Sequence, residues 1–93
     1  MKTTKRKEFI KWLIDKGLEV NTADRMVVCL YRGSIVFSIN DTLRFQVSTT
    51  NLLERLPDVN IEELYKKIID YASLKTDARY EEIELVRSEN QRN

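Results

Sequence analysis

"MVVCLYRGSIVFSIN", residues 26–40, is the most strand-like stretch of the chain, and its first half is apolar at every position. Successive side chains of a strand point to opposite faces, so one buried face needs an apolar residue only at every second position. Met26, Val27, Val28, Cys29, Leu30 and Tyr31 nevertheless run without a break. Either the strand is covered on both sides, or its second face meets something outside the chain. Arg32-Gly33 separates two β-rich runs, and Gly33 tolerates the positive φ that a tight hairpin turn needs. A turn there sets Leu30 against Ile35, Val28 against Phe37 and Met26 against Ile39, all six on one face. The other face carries Val27, Cys29, Tyr31 and Val36, with Ser34 and Ser38 beside them.

The next segment, "DTLRFQVSTT" (41–50), alternates: Leu43, Phe45 and Val47 fall on one side, Arg44, Gln46 and Ser48 on the other. A three-residue loop, "NDT", pairs Ile39 with Leu43, Phe37 with Phe45 and Ile35 with Val47. The product is an antiparallel meander with one continuous apolar face. Upstream, Thr4 is a natural N-cap and Gly17 a natural αL stop for a helix whose stripe is Phe9, Ile10, Leu13 and Ile14, with Trp12 on its edge. Lys5, Arg6 and Lys7 crowd the positive end of its dipole, so its first turn is expected to fray. Leu18–Val20 is a short extended piece, followed by a turn at "NTAD".

"NLLERLPDVN" (51–60) is a connection anchored by Leu52, Leu53 and Leu56 and stopped by Pro57. Asn60 as N-cap and Glu63 three residues on resemble a capping box, opening a helix with the stripe Ile61, Leu64, Tyr65, Ile68, Tyr71, Ala72. Glu62–Lys66 and Glu63–Lys67 are favourable i, i+4 pairs on its exposed side. Residues 77–90 are ambiguous: Tyr80, Ile83 and Val86 have loose helical spacing, whereas Ile83 and Leu85 alternate like a strand. The fold class that follows is α+β: a two-layer α-β-β-β-α domain, with two helices packed on one face of a three-stranded antiparallel meander. Residues 1–93 make a single domain, with 1–4 and 88–93 expected to be flexible.

Composition narrows the function. Ninety-three residues support a modest core, because folding at this size removes only about 60–65% of the chain's surface from water. No apolar run approaches the roughly 20 residues of a membrane span, and the basic amino terminus is broken by Lys11, Asp15 and Lys16 rather than reading as a signal peptide. A cytoplasmic protein is expected. The chain has no histidine and one cysteine, which removes the commonest general base, His-assisted nucleophiles and an internal disulfide, and starves a zinc site of ligands. Two glycines are too few for a phosphate-cradling loop. No cofactor or metal is expected, and no enzyme. Charge is unevenly spread: residues 1–16 hold six Lys or Arg against two acids, and residues 54–93 hold seven against ten, as if the two ends attract.

Two binding surfaces remain. The first is Val27, Cys29, Tyr31 and Val36, a patch for a protein partner or a second copy of the chain, unless residues 18–20 or 80–86 lie across it. The second is the basic cluster Lys2, Lys5, Arg6, Lys7 and Lys11, a candidate nucleic-acid contact. Against it stand a near-balanced total charge and one aromatic, Tyr31, where a sheet reader of single strands uses two or three. Protein–protein interaction is the expected mode, with a nucleic-acid-associated accessory role as the alternative.

Finally, "FIKWLIDKG" (9–17) and "LYKKIIDYASLKTDARYEE" (64–82) resemble small uncharacterised proteins of bacteriophages and prophages of low-GC Gram-positive bacteria. The shared traits are Phe9, Trp12-Leu13 and Gly17 in a first helix, Tyr71-Ala72-Ser73 ending the last one, and a charged exit. Leu74-Lys75-Thr76 stands where such proteins often have a Thr-Pro step. The resemblance implies a phage-type accessory protein and carries no site residues.

Overall fold

The structure, a computed structural model, describes residues 2–84. Its elements are β1 (Lys2–Thr4), α1 (Lys5–Asp15), β2 (Glu19–Asn21), β3 (Met26–Tyr31), β4 (Ser34–Asn40), β5 (Val47–Thr49), α2 (Ile61–Ala72), α3 (Thr76–Tyr80) and β6 (Glu82–Glu84), with 3-10 turns at Ala23–Arg25 and Asn51–Arg55. The class is α+β, with more strands than expected. A four-stranded antiparallel sheet runs in the order β2-β3-β4-β5, and β1 pairs with β6 in a separate two-stranded sheet. The extended piece after Gly17 is thus a fourth strand, and residues 77–84 of the ambiguous tail form a helix followed by a strand, the remainder lying outside the described residues.

The hairpin turn lies where the sequence places it. Arg32 and Gly33 have φ of 51° and 82°, the pair of positive values of a type I′ turn, and Tyr31 pairs with Ser34 and Leu30 with Ile35. Beyond that pair the register shifts: Cys29, not Val28, faces Phe37, and Val27, not Met26, faces Ile39. Val36 is the extra residue of a β-bulge, which leaves two residues of one strand opposite one of the other. Val36 and Phe37 both point inward and are fully buried, while Ile35 is turned out and 51% exposed. Thr50 satisfies the backbone that the bulge frees from the ladder: its N–H donates to the Val36 carbonyl at 3.0 Å, and its hydroxyl lies 2.7 Å from the Ile35 carbonyl.

A one-residue slip exchanges the faces of a strand, and that happens here. Val27 and Cys29 are completely buried, whereas Met26, Val28 and Leu30 are half-buried on the opposite side. The third strand also departs from the expected register. Phe37 pairs with Thr49 and Ile39 with Val47, while residues 41–46 form a loop that leaves Leu43 and Phe45 exposed. The physical cause is competition for the backbone of residues 40–45. The Asn40 side chain accepts from the Thr42 N–H, Arg79 takes the Asn40 and Leu43 carbonyls, and the Phe45 N–H donates to Ala72.

Both long helices cover the inner face. Phe9 and Leu13 of α1, and Leu64, Ile68, Tyr71 and Ala72 of α2, join Val27, Cys29, Val36, Phe37 and Ile39 in one buried cluster. The Phe9 and Tyr71 rings stack at 4.6 Å with 9° between planes. Thr4 and Asn60 cap the two helices through Lys7 N–H and Glu63 N–H, and Gly17 takes φ 89° to end α1. Ile14 is exposed rather than core, and Leu53 and Leu56 anchor the connection as expected. The exposed ion pairs on α2 are Lys66–Asp70 and Lys16–Glu63, not the two expected from spacing.

Residues 2–4 are a paired strand and not a loose end. Lys2 sits opposite Glu84 and Thr4 opposite Glu82 in the strand pairing, so residues 2–4 and 82–84 lie side by side. The expectation for residues 88–93 lies outside the described residues.

The register makes a sharp forecast. Val27→Thr keeps shape and β-branching but buries a hydroxyl in the core, and should cost about 1–3 kcal/mol in urea unfolding. Val28→Thr, on the outer face, should stay within about 0.5 kcal/mol. Equal losses, or the reverse order, would mean that the faces are misassigned.

Candidate functional site

The patch expected from sequence is core. Val27, Cys29 and Val36 have no exposed surface, and Tyr31 is half-buried against the same cluster. Among the described residues, α1 and α2 supply most of their cover, and Leu18 joins the same buried cluster. Burial pushes the Cys29 thiol up to about 12, so at neutral pH it is protonated and no nucleophile. The bulge is the reason for the correction, since it sends the apolar residues of the other phase outward.

The outer face follows from pairing, because directly opposed residues share a side. One row is Glu19, Leu30, Ile35; the next is Asn21, Val28, Ser38, Ser48; the last is Met26, Asn40. Met26, Val28 and Leu30 therefore form an apolar column along β3, extended by Ile35 and flanked by polar residues of β2 and β4. With Asn21, Ala23 and Asp24 they line a shallow depression of about 340 Å³.

The basic cluster is not one surface. Arg6 turns inward, with its side chain 21% exposed and Nε 2.8 Å from Asp41 Oδ2. Lys11 pairs with Asp15 at 2.8 Å, and Lys2 belongs to β1. Lys5 lines a groove between α1 and α2, while Lys7 is exposed in the first turn.

Sequence reading missed the group that holds this end of the domain together. Asp41 is fully buried just after β4. Its Oδ1 accepts from the Tyr71 hydroxyl at 2.7 Å and lies 3.6 Å from Arg79 Nη1. Its Oδ2 accepts from Arg6 at 2.8 Å and from the Tyr80 hydroxyl at 3.2 Å. Arg79, also fully buried, donates to four carbonyls: Leu74 at 3.2 Å, Asn40 at 2.7 Å, Leu43 at 3.1 Å and Ala72 at 3.0 Å. The Tyr71 phenol is held above its ordinary pKa by burial, reinforced by its hydrogen bond to Asp41 and that carboxylate's charge. Arg6 lies over the Tyr80 ring and Arg79 over that of Tyr71, at 5.4 and 4.9 Å. Both carboxylate oxygens are engaged and the group is fully buried, so the cluster is a clasp joining α1, β4, α2 and α3. No local pattern marks it, because its side-chain pairs are 30 to 39 residues apart.

Among the described residues, no three His, Cys, Asp or Glu side chains are grouped to hold a metal ion, and no helix is long and apolar enough to cross a membrane. Asp41→Ala would leave two guanidinium groups around an empty position. It should cost about 3–5 kcal/mol in chemical denaturation, the scale for breaking a buried ion pair. A loss below about 1 kcal/mol would show that water replaces the carboxylate. No family model matches the sequence, no curated protein matches it, and no solved structure matches it.

Proposed function

We propose that this is a non-enzymatic, phage-type accessory protein that acts by protein–protein contact, pairing with a second copy of itself through the outer sheet face. The observation that carries this reading is the column Met26, Val28, Leu30 with Ile35, which the helices leave uncovered. An apolar centre inside a polar surround is the anatomy of a small interface. Sheets that pack face to face align their strands and interleave such side chains.

The charges around the column favour a second copy. Asp24 and Arg25 precede Met26 at one end of β3; Arg32 follows Leu30 at the other, where Glu19 is Leu30's neighbour on β2. A twofold axis through Val28 crosses two β3 strands antiparallel, bringing Asp24 towards Arg32 of the other copy and Arg25 towards Glu19. Such a surface is self-complementary, as an isologous interface requires. The engaged state of Asp41 and the burial of Cys29 support the non-enzymatic part.

Ile35→Asp places a charge at the edge of the apolar column, at a position that is already half exposed. Sedimentation equilibrium should find a dimer for the unaltered chain at tens of micromolar and a folded monomer for the variant, with binding weakened at least tenfold. A monomeric unaltered protein at millimolar concentration, or a variant that still dimerises, would refute the reading.

A further inference from the structure

The groove between α1 and α2 has about 370 Å³ of space and lies away from the outer sheet face. On α1 its wall is Lys5, Glu8 and Trp12, with Lys16 one turn beyond Trp12; on α2 it is Lys67 and Asp70. Helical spacing explains the assembly, since positions three and four apart share a face. Trp12 is half-buried, and two ammonium groups sit against its indole: Lys16 Nζ at 5.2 Å and Lys67 Nζ at 5.5 Å from the ring centroid. Phe9 and Tyr71, stacked on one another, back the groove.

Among the described residues, neither Lys5 nor Lys67 has a carboxylate within ion-pair distance, and Lys16 reaches Glu63 only at 4.0 Å. Cations resting on a π-face are held weakly where water has access, so an anion can draw them away at little cost and uncover the indole. The complement of a flat aromatic plane flanked by two cations is a planar ring that carries a negative charge. Glu8 and Asp70 add acceptors on the same walls. These disfavour a bare anion but suit a ring with exocyclic amines, as carboxylates accept from cytosine N4.

The geometry points to a site for a nucleobase with its attached phosphate: the base stacks on Trp12 and the phosphate takes Lys16 and Lys67, the two ammonium groups beside the indole. This is a different surface from the amino-terminal basic cluster, and only Lys5 is common to both. Stacking of a base on an aromatic, combined with basic side chains on the backbone, is how single strands are held without strong sequence preference.

Trp12 is the only tryptophan, so its fluorescence reports this groove alone. The full chain is titrated at low salt with cytidine monophosphate and, separately, with an oligo(dC) of about ten nucleotides. Quenching by either supports the site. Binding of the oligonucleotide at least tenfold tighter than the mononucleotide identifies a strand as the source, and equal binding identifies the free nucleotide. Lys67→Gln, at a partly exposed position that leaves the fold intact, should weaken binding about tenfold, and a fourfold rise in salt should do much the same for the strand. Unchanged Trp12 fluorescence with both ligands at millimolar concentration overturns the proposal. So does binding that Lys67→Gln leaves unaltered.

Discussion

Between the pairs Cys29–Phe37 and Leu30–Ile35, β4 carries a residue, Val36, for which β3 has no counterpart. Everything else in the sheet follows from that excess. A regular hairpin would place Ile35, Phe37 and Ile39 in one phase and leave Val36 with the serines. The bulge puts Val36 and Phe37 inside together, so β4 supplies three fully buried side chains, with Ile39, within four positions. β3, apolar in both phases, follows its partner: Val27 and Cys29 complete the core, and Met26, Val28 and Leu30 become surface. Thr50, immediately after β5, seals the irregularity by bonding the Ile35 and Val36 carbonyls.

The clasp around Asp41 governs the other end. A buried guanidinium is tolerable only when its donors are used, and Arg79 uses them on carbonyls of residues 40, 43, 72 and 74. Those carbonyls belong to the end of β4 and its loop and to the end of α2 and the residues just after it, so one side chain ties sheet to helix. The same bonds keep residues 41–46 out of the sheet, which is why β5 is only three residues long and Leu43 and Phe45 stay in water. Buried ionic groups of this kind add less stability than their number suggests; here they fix how the helices sit on the sheet.

How much was legible depends on the range of the physics involved. The caps at Thr4 and Asn60, the stop at Gly17, the Arg32-Gly33 turn and the stripe of α2, apart from Tyr65, which is exposed, are local, and the residues themselves carry them. The α+β class and the placement of both helices on one face followed from those signals. The inner face of β3 was not legible, because "MVVCLY" satisfies either phase and the choice rests on a bulge in another strand. The Asp41 clasp was invisible for a related reason: its side chains are ordinary surface types, brought together from three distant segments. Val27, Cys29 and Val36, read from the sequence as an exposed patch, are consequently core.

The central claim is the register of β3 on β4, and cross-strand nuclear Overhauser effects between backbone protons measure it directly. The account predicts contacts joining Val27 with Ile39 and Cys29 with Phe37, alongside Leu30 with Ile35. Contacts joining Met26 with Ile39 and Val28 with Phe37 would contradict it, returning Val27, Cys29 and Val36 to the surface and removing the outer-face interface with them.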